Sequence, residues 1–143
     1  MGSIPLHYVD LRAFCYVTES ERRVEEALRT FLPEEFPVER AESEGHHGDR
    51  IVVLSARVEN ASDVRTVLDR VGALDDVRAI QGELDERVTE DCELYLQFDK
   101  AAAYRGEVRL GDGITFRAKV EAYPARKETA VENAQEILES YGS

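Results

Sequence analysis

Four stretches of this chain alternate apolar and polar residues with a period of two, and none of the four is apolar throughout. An alternating strand buries one side and shows the other. Strands covered on both faces read instead as continuous Val, Ile and Leu runs. The pattern therefore selects a sheet with one sealed face and one open face. Leu6–Val17 alternates with Val9, Leu11, Ala13, Cys15 and Val17 inward and Tyr8, Asp10, Arg12, Phe14 and Tyr16 outward. Ile51–Glu59 follows with Val52, Leu54, Ala56 and Val58 inward, and Cys92–Lys100 with Cys92, Leu94, Leu96 and Phe98 inward. Ile114–Tyr123 is the clearest of the four, with Ile114, Phe116, Ala118, Val120 and Ala122 on one side and Pro124 as its stop.

Between these strands the period lengthens to that of a helix. Val24, Ala27, Leu28, Phe31 and Leu32 form an amphipathic stripe. Thr18 and Glu21 have capping-box spacing before it, and Pro33 closes it. A second stripe, Val64, Val67, Leu68 and Val71, is capped by Asn60 or Ser62 and ends at Gly72. Asp75 or Asp76 caps a third helix bearing Val77, Ile80 and Leu84, and a last helix carries Val131, Ala134, Leu138 and Tyr141. Val38–Ser43 is a weaker strand, Gly45–Asp49 a turn, and Val108 and Leu110 part of a short strand before a Gly111–Gly113 hairpin signal. The order β-α-β-β-α-α-β-β-β-α predicts an α+β fold, with helices on one face of a mainly antiparallel or mixed sheet. At 143 residues, 1–143 form a single domain.

No apolar run approaches the roughly 20 residues that span a bilayer. The first residues carry no basic segment followed by an apolar stretch, and Leu6 stands where a myristoylation signal has Ser or Thr. A soluble, cytoplasmic protein without a membrane partner is expected. The formal charge is −12, and Arg outnumbers Lys fifteen to three. Self-repulsion of that size costs stability in dilute buffer. At 1 M salt the Debye length shrinks to about 3 Å and the cost disappears. The acidity thus points to the high-salt cytoplasm of a halophilic archaeon, with a basic protein partner as the other explanation. Under the first explanation, net charge does not exclude nucleic acid.

The outward parity gathers Tyr8, Arg12, Phe14 and Tyr16 with Arg57, Tyr95, Gln97, Arg117, Lys119 and Tyr123. Rings and cations interleave there, with Lys100 at the margin. Single-stranded RNA uses this mixture: unpaired bases stack on rings or guanidinium planes, and cations meet phosphates. Tyr and β-branched residues also favour strands whatever the function, and Tyr and Arg are enriched in protein interfaces. Asp10, Glu93, Asp99 and Glu121 share the face and blunt its field. Nucleic acid, a protein interface and ordinary surface all remain open on these grounds.

Cys15 and Cys92 fall on the core side, and no Cys-x-x-Cys occurs. His46 and His47 lie between Gly45 and Gly48, a spacing similar to the phosphate-clamping GXXG loop of KH domains. That loop joins helices, whereas this one joins strands. The two histidines can be plain turn residues, phosphate contacts or, with Asp49, metal ligands. Glu86, Glu90 and Asp91 around Arg87 read as a solvated helix end rather than a metal cluster. There is no Gly-x-Ser-x-Gly, Walker loop or His-Glu-x-x-His. No catalytic residue, metal or cofactor is expected.

Several short motifs add a resemblance. Gly45-His46-His47-Gly48-Asp49 before an apolar strand resembles a Gly-His-Phe-Gly-Asn turn, and Glu86–Glu90 resembles an Arg-Ile-Asp-Glu segment. Leu96-Gln97-Phe98-Asp99-Lys100, followed by Tyr104 and Arg105, resembles a Leu-Arg-Leu-Asp-Lys-Gln segment, and Tyr123–Glu128 fits a final strand–helix junction. These belong to an archaeal family of predicted RNA-binding proteins, some described as predicted exosome subunits, and the likeness runs over most of the chain. Gln97 and Ala101 depart from it where the family tends to have Arg and Gln, and His47 replaces Phe. The resemblance implies a fold like the fifth large-subunit ribosomal protein and a non-catalytic RNA-binding role, as an accessory of RNA processing (exosome) or ribosomal machinery. Carried over by position, it implicates His46, His47, Asp49, Arg87, Asp99, Lys100, Tyr104 and Arg105. With the open face, the expected RNA contacts are Lys100, Arg105, Arg117 and Lys119 for phosphates, and Tyr95 and Tyr104 for bases, joined by Arg87, His46 and His47. The alternative is a protein-interaction module or homodimer built on the same face without RNA.

Overall fold

The computed structural model describes residues 6–44, 48–72 and 77–141. Five strands, β1 (Leu6–Cys15), β2 (Glu39–Glu44), β3 (Arg50–Val58), β4 (Glu93–Asp99) and β5 (Gly113–Val120), form one sheet in the order β2-β3-β1-β5-β4. Every neighbouring pair is antiparallel. The α+β architecture expected from the alternation is the one observed. Helices α1 (Glu21–Arg29), α2 (Ala61–Gly72), α3 (Val77–Gly82), α4 (Leu84–Arg87), α5 (Lys100–Tyr104) and α6 (Lys127–Tyr141) complete the described residues.

Register explains why a single face is sealed. Leu11 stands opposite Ala56 on one side and Phe116 on the other, and Phe116 stands opposite Leu96. All four are buried, and they share one core with Val24, Leu28, Val64, Val67, Leu68, Ile80, Ala134 and Leu138 of the helices. No charged or polar residue is buried among the described residues. Phe31, two residues past α1, puts its ring 4.8 Å from that of Phe98, which meets Phe116 edge-on at 6.1 Å. These rings anchor the helix layer to β4 and β5.

Several expectations are corrected in detail. Val17 is 70 % exposed, not inward. The chain turns as soon as β1 ends: the Glu19 N–H donates to the Tyr16 carbonyl at 2.9 Å, leaving Val17 at the tip. Thr18 lies in that turn, so Ser20 is the cap of α1, its Oγ accepting from the Arg23 N–H. Asn60, by contrast, caps α2 as expected. Lys100 belongs to α5 rather than to a strand, because the Asp99 carboxylate caps the Ala102 N–H at 2.9 Å. Leu84 starts its own short helix instead of extending α3. Val108 lies outside any strand, and Leu110 makes only an isolated bridge to Phe98. Gly111–Gly113 is no tight hairpin, since α5 fills the connection between β4 and β5. Gly111 instead allows a close approach, as a Cβ there would sit 2.6 Å from the Asp99 Cβ. The last strand stops at Val120, short of Tyr123. His46, His47, Asp75 and Asp76 lie outside the described residues.

Candidate functional site

The sheet register lays out the open face row by row. Tyr8, Lys119 and Glu93 stand abreast on β1, β5 and β4. Next come Arg57, Asp10, Arg117 and Tyr95 on β3, β1, β5 and β4. The third row is Glu39, Ser55, Arg12, Thr115 and Gln97, across all five strands. Phe14 lies beyond, opposite Val53. Tyr8, Arg12, Phe14, Arg57, Tyr95, Gln97, Arg117 and Lys119 are on the strands of this face as expected, with Tyr95 and Arg117 directly opposed, whereas Tyr16 falls in the turn after β1. Tyr123 stands fully exposed beyond the sheet's end.

The second row is an ion network. Asp10 accepts from Arg117 at 2.5 Å and faces Arg57 at 3.8 Å, while Arg117 also reaches Glu93 at 3.3 Å. Asp10, then Tyr95, push the Arg117 guanidinium above its usual value, so it stays charged. Arg57 lies over the Tyr8 ring at 3.8 Å, a cation–π contact. Burial first, then Glu93, raises the Tyr8 phenol against the opposing pull of Arg117. Arg57 and Arg117 are thus fixed cations, each held on one side and open to solvent on the other. Lys119 turns to the sheet margin and donates to the Asp91 carbonyl.

Arg12 differs from all of these. Its cross-strand neighbours are Ser55 and Thr115, it is exposed, and no carboxylate lies within ion-pairing distance of it among the described residues. It lies near Asp10, Tyr95 and Arg117 along one shallow depression. Composition and parity put Arg12 on this face. Its free guanidinium depends on cross-strand register, which the sequence does not display, and so it was not among the expected RNA contacts.

Lys100 and Tyr104 lie on α5 and Arg105 caps its end; the helix is tied to the end of α1 through Thr30 and the Ala103 carbonyl, and of the three Lys100 reaches back to β1. The Lys100 ammonium donates to the Phe14 carbonyl at 2.7 Å and to Glu19 at 2.8 Å, and stands 5.3 Å from the centre of the Tyr16 ring. Lys100 is therefore a strut between β1 and α5 before it is anything else. Tyr104 is 43 % exposed with Arg23 at 5.6 Å from its ring centre, and Arg105 follows, exposed, at the helix end. Arg87 is apart from these groups: it sits on α4, in the helix layer, bonded to Glu83 at 2.7 Å.

Burial pushes the Glu19 carboxyl up, but the hydrogen bonds from Lys100 and from the Tyr16 N–H outweigh it and hold the group below the ordinary carboxylate value. A lowered folded-state value means that Glu19 stabilises the fold above the unfolded carboxylate range, and that this contribution fades as pH falls through the lowered value. Glu19→Gln should flatten the acid side of the stability curve in urea titrations run from neutral pH downward. An acid limb identical to that of the parent would contradict the Lys100–Glu19 strut.

Among the described residues, no three His, Cys, Asp or Glu side chains converge as a metal site. No described helix is long and apolar enough to cross a membrane.

Comparison with known proteins gives a consistent result. A family model described as RNA binding matches residues 8–120. The RNA-binding protein PAB1135 of Pyrococcus abyssi is 34 % identical, over 96 % of this chain and 97 % of its own. The structure of Mth689 from Methanothermobacter thermautotrophicus, a DUF54 protein, superposes with a TM-score of 0.79 at 38 % identity, covering 93 % of this chain and 98 % of that one. AF2318 from Archaeoglobus fulgidus, also DUF54, gives 0.84 at 28 % identity, over 92 % and 99 %.

Proposed function

The chain belongs to this archaeal RNA-binding family, and on that premise we propose that it binds single-stranded RNA, without catalysis, across the open face of its sheet. The observation that carries the reading is the pairing of fixed rings with cations on a chain of net charge −12. Arg57, Arg12 and Arg117 lie in two adjoining rows beside Tyr8 and Tyr95. Phosphates meet Arg12, Arg57, Arg117 and Lys119, with Lys100 and Arg105 at the margin, and bases stack on Tyr95 and Tyr104. Stacking is indifferent to sequence because every base has a π face. We further propose that the protein serves as an accessory of RNA processing or of ribosomal machinery, a role implied only by the resemblance of its short motifs, such as Leu96-Gln97-Phe98-Asp99-Lys100. The acidity elsewhere fits a concentrated-salt interior, where screening acts within about 3 Å at 1 M.

The test is a titration of single-stranded and duplex RNA of one sequence over a series of KCl concentrations. Single strands should bind better, with log K falling linearly in log[KCl] by about 0.7 per phosphate contacted. Equal affinity for duplex, or a slope of zero, would reject the reading. A second reading, a homodimer or docked protein, draws on exposed Phe14 and Tyr16 at the end of the same face. Sedimentation distinguishes it, since a dimer with no RNA affinity supports that reading alone.

A further inference from the structure

We infer that the cleft between α1 and α5 holds one unpaired nucleotide of a single strand that leaves the sheet face around Lys100. This inference rests on the RNA-binding reading above and assigns it a second, separable subsite. The cleft has a volume of about 410 Å³, inside the range of about 300–1,000 Å³ common to small-ligand sites. Val24, Ala101 and the Tyr104 ring supply apolar wall, while Arg23 and Lys100 supply two cations against the single carboxylate of Glu19. That local excess of positive charge stands out on an acidic chain and suits a phosphodiester. Tyr104 carries a half-exposed ring on a helix whose neighbouring alanines, Ala102 and Ala103, are buried. Thr30 ties that helix to α1 by donating to the Ala103 carbonyl at 2.6 Å. A base stacking on Tyr104 would therefore meet a ring whose backbone is already fixed.

Continuity with the sheet face comes from Lys100. It lines this cleft and also a neighbouring hollow of about 340 Å³ that contains Phe14, Tyr16, Gln97 and Thr115. Thr115 adjoins Arg12 across the β1–β5 ladder. One strand can therefore run from Arg12 past Phe14 and Tyr16, cross Lys100 and place its next base against Tyr104. A rigid duplex cannot turn that corner, so the cleft accepts unpaired RNA only. Arg23, beside the ring and free of any ion pair among the described residues, meets the phosphate of the same nucleotide.

The full chain is tested with a mixed-sequence single-stranded RNA carrying 2-aminopurine, and with the same sequence as a duplex. Tyr104→Ala should weaken single-strand binding about 5- to 150-fold, the range set by loss of one base–aromatic stack. It should abolish quenching of the 2-aminopurine and change duplex binding little, while Tyr104→Phe keeps both affinity and quenching. Arg23→Ala, which leaves α5 untouched, should weaken the single strand in the same direction, and it carries the test where Tyr104→Ala disturbs folding. Parental affinity and quenching in both Tyr104→Ala and Arg23→Ala, with Arg12→Gln still weakening binding, overturn the cleft together with any stacking on Tyr104, and leave standing the reading for the strand residues of the sheet face. No RNA binding by the parent protein overturns both.

Discussion

Phe98→Ala should cost about 3–5 kcal/mol, the range for emptying a large aromatic site in a packed core. Phe98 is fully buried and its ring is shared: Phe31 packs at 4.8 Å from the helix side and Phe116 edge-on at 6.1 Å from β5. Both aromatic contacts go with it, each worth about 0.5–1.5 kcal/mol beyond area burial. Against a total of about 5–15 kcal/mol for an ordinary domain, that is a large share. The melting temperature should fall by roughly 10 °C or more at this chain length. Urea titration should show a lower midpoint with an unchanged slope, since the change removes packing without altering what unfolds. Phe98→Leu should lose less than half as much. A loss below about 1 kcal/mol for the alanine variant would mean that the three rings do not form the anchor described. The site would register the damage too, because Asp99, the next residue, caps α5 and so sets where Lys100 and Tyr104 stand.

The strands were legible because an open sheet writes its own pattern: one buried residue, one exposed, repeated. Val9 to Cys15, Val52 to Val58 and Ile114 to Val120 follow it with each second residue buried. What escaped the pattern lies at the strand ends. Position 100 falls on the inward parity of β4, where a lysine breaks the alternation, and Asp99 followed by Lys100 and three alanines is a cap and a run of strong helix formers. Val17 does continue the parity of β1, but the Tyr16–Glu19 turn takes it out of the sheet. The placement of Tyr95 and Arg117 on the open face needed only parity. Which cations are already paired needed register. Asp10 between Arg57 and Arg117, with Ser55 and Thr115 beside Arg12, follows from how β3 and β5 align on β1. No single strand carries that information.

Register also decides which substitution should most reduce RNA binding. Arg12→Glu is expected to weaken single-stranded RNA about tenfold or more, since a hydrogen bond to a charged group is worth about 1.5–3 kcal/mol and the new carboxylate repels the phosphate as well. Arg12 stands on the central strand of the five, so a nucleic-acid strand running from one sheet edge to the other must cross the strand that carries it. Its guanidinium has no internal ion pair to break, whereas Arg117 must share itself with Asp10 and Glu93. Free charge at the centre should therefore matter more than held charge beside it. Arg12→Gln should lower the salt slope by about 0.7, one phosphate for a single strand, and Arg12→Glu by at least as much. Arg78→Gln, on α3 within the helix layer, removes the same charge from the chain and should leave both affinity and slope unchanged. Neither Arg12 variant should move the urea midpoint appreciably, because the side chain is exposed. Equal losses from Arg12→Gln and Arg78→Gln would show that the RNA responds to net charge alone, and the open face would lose its claim to be the binding surface.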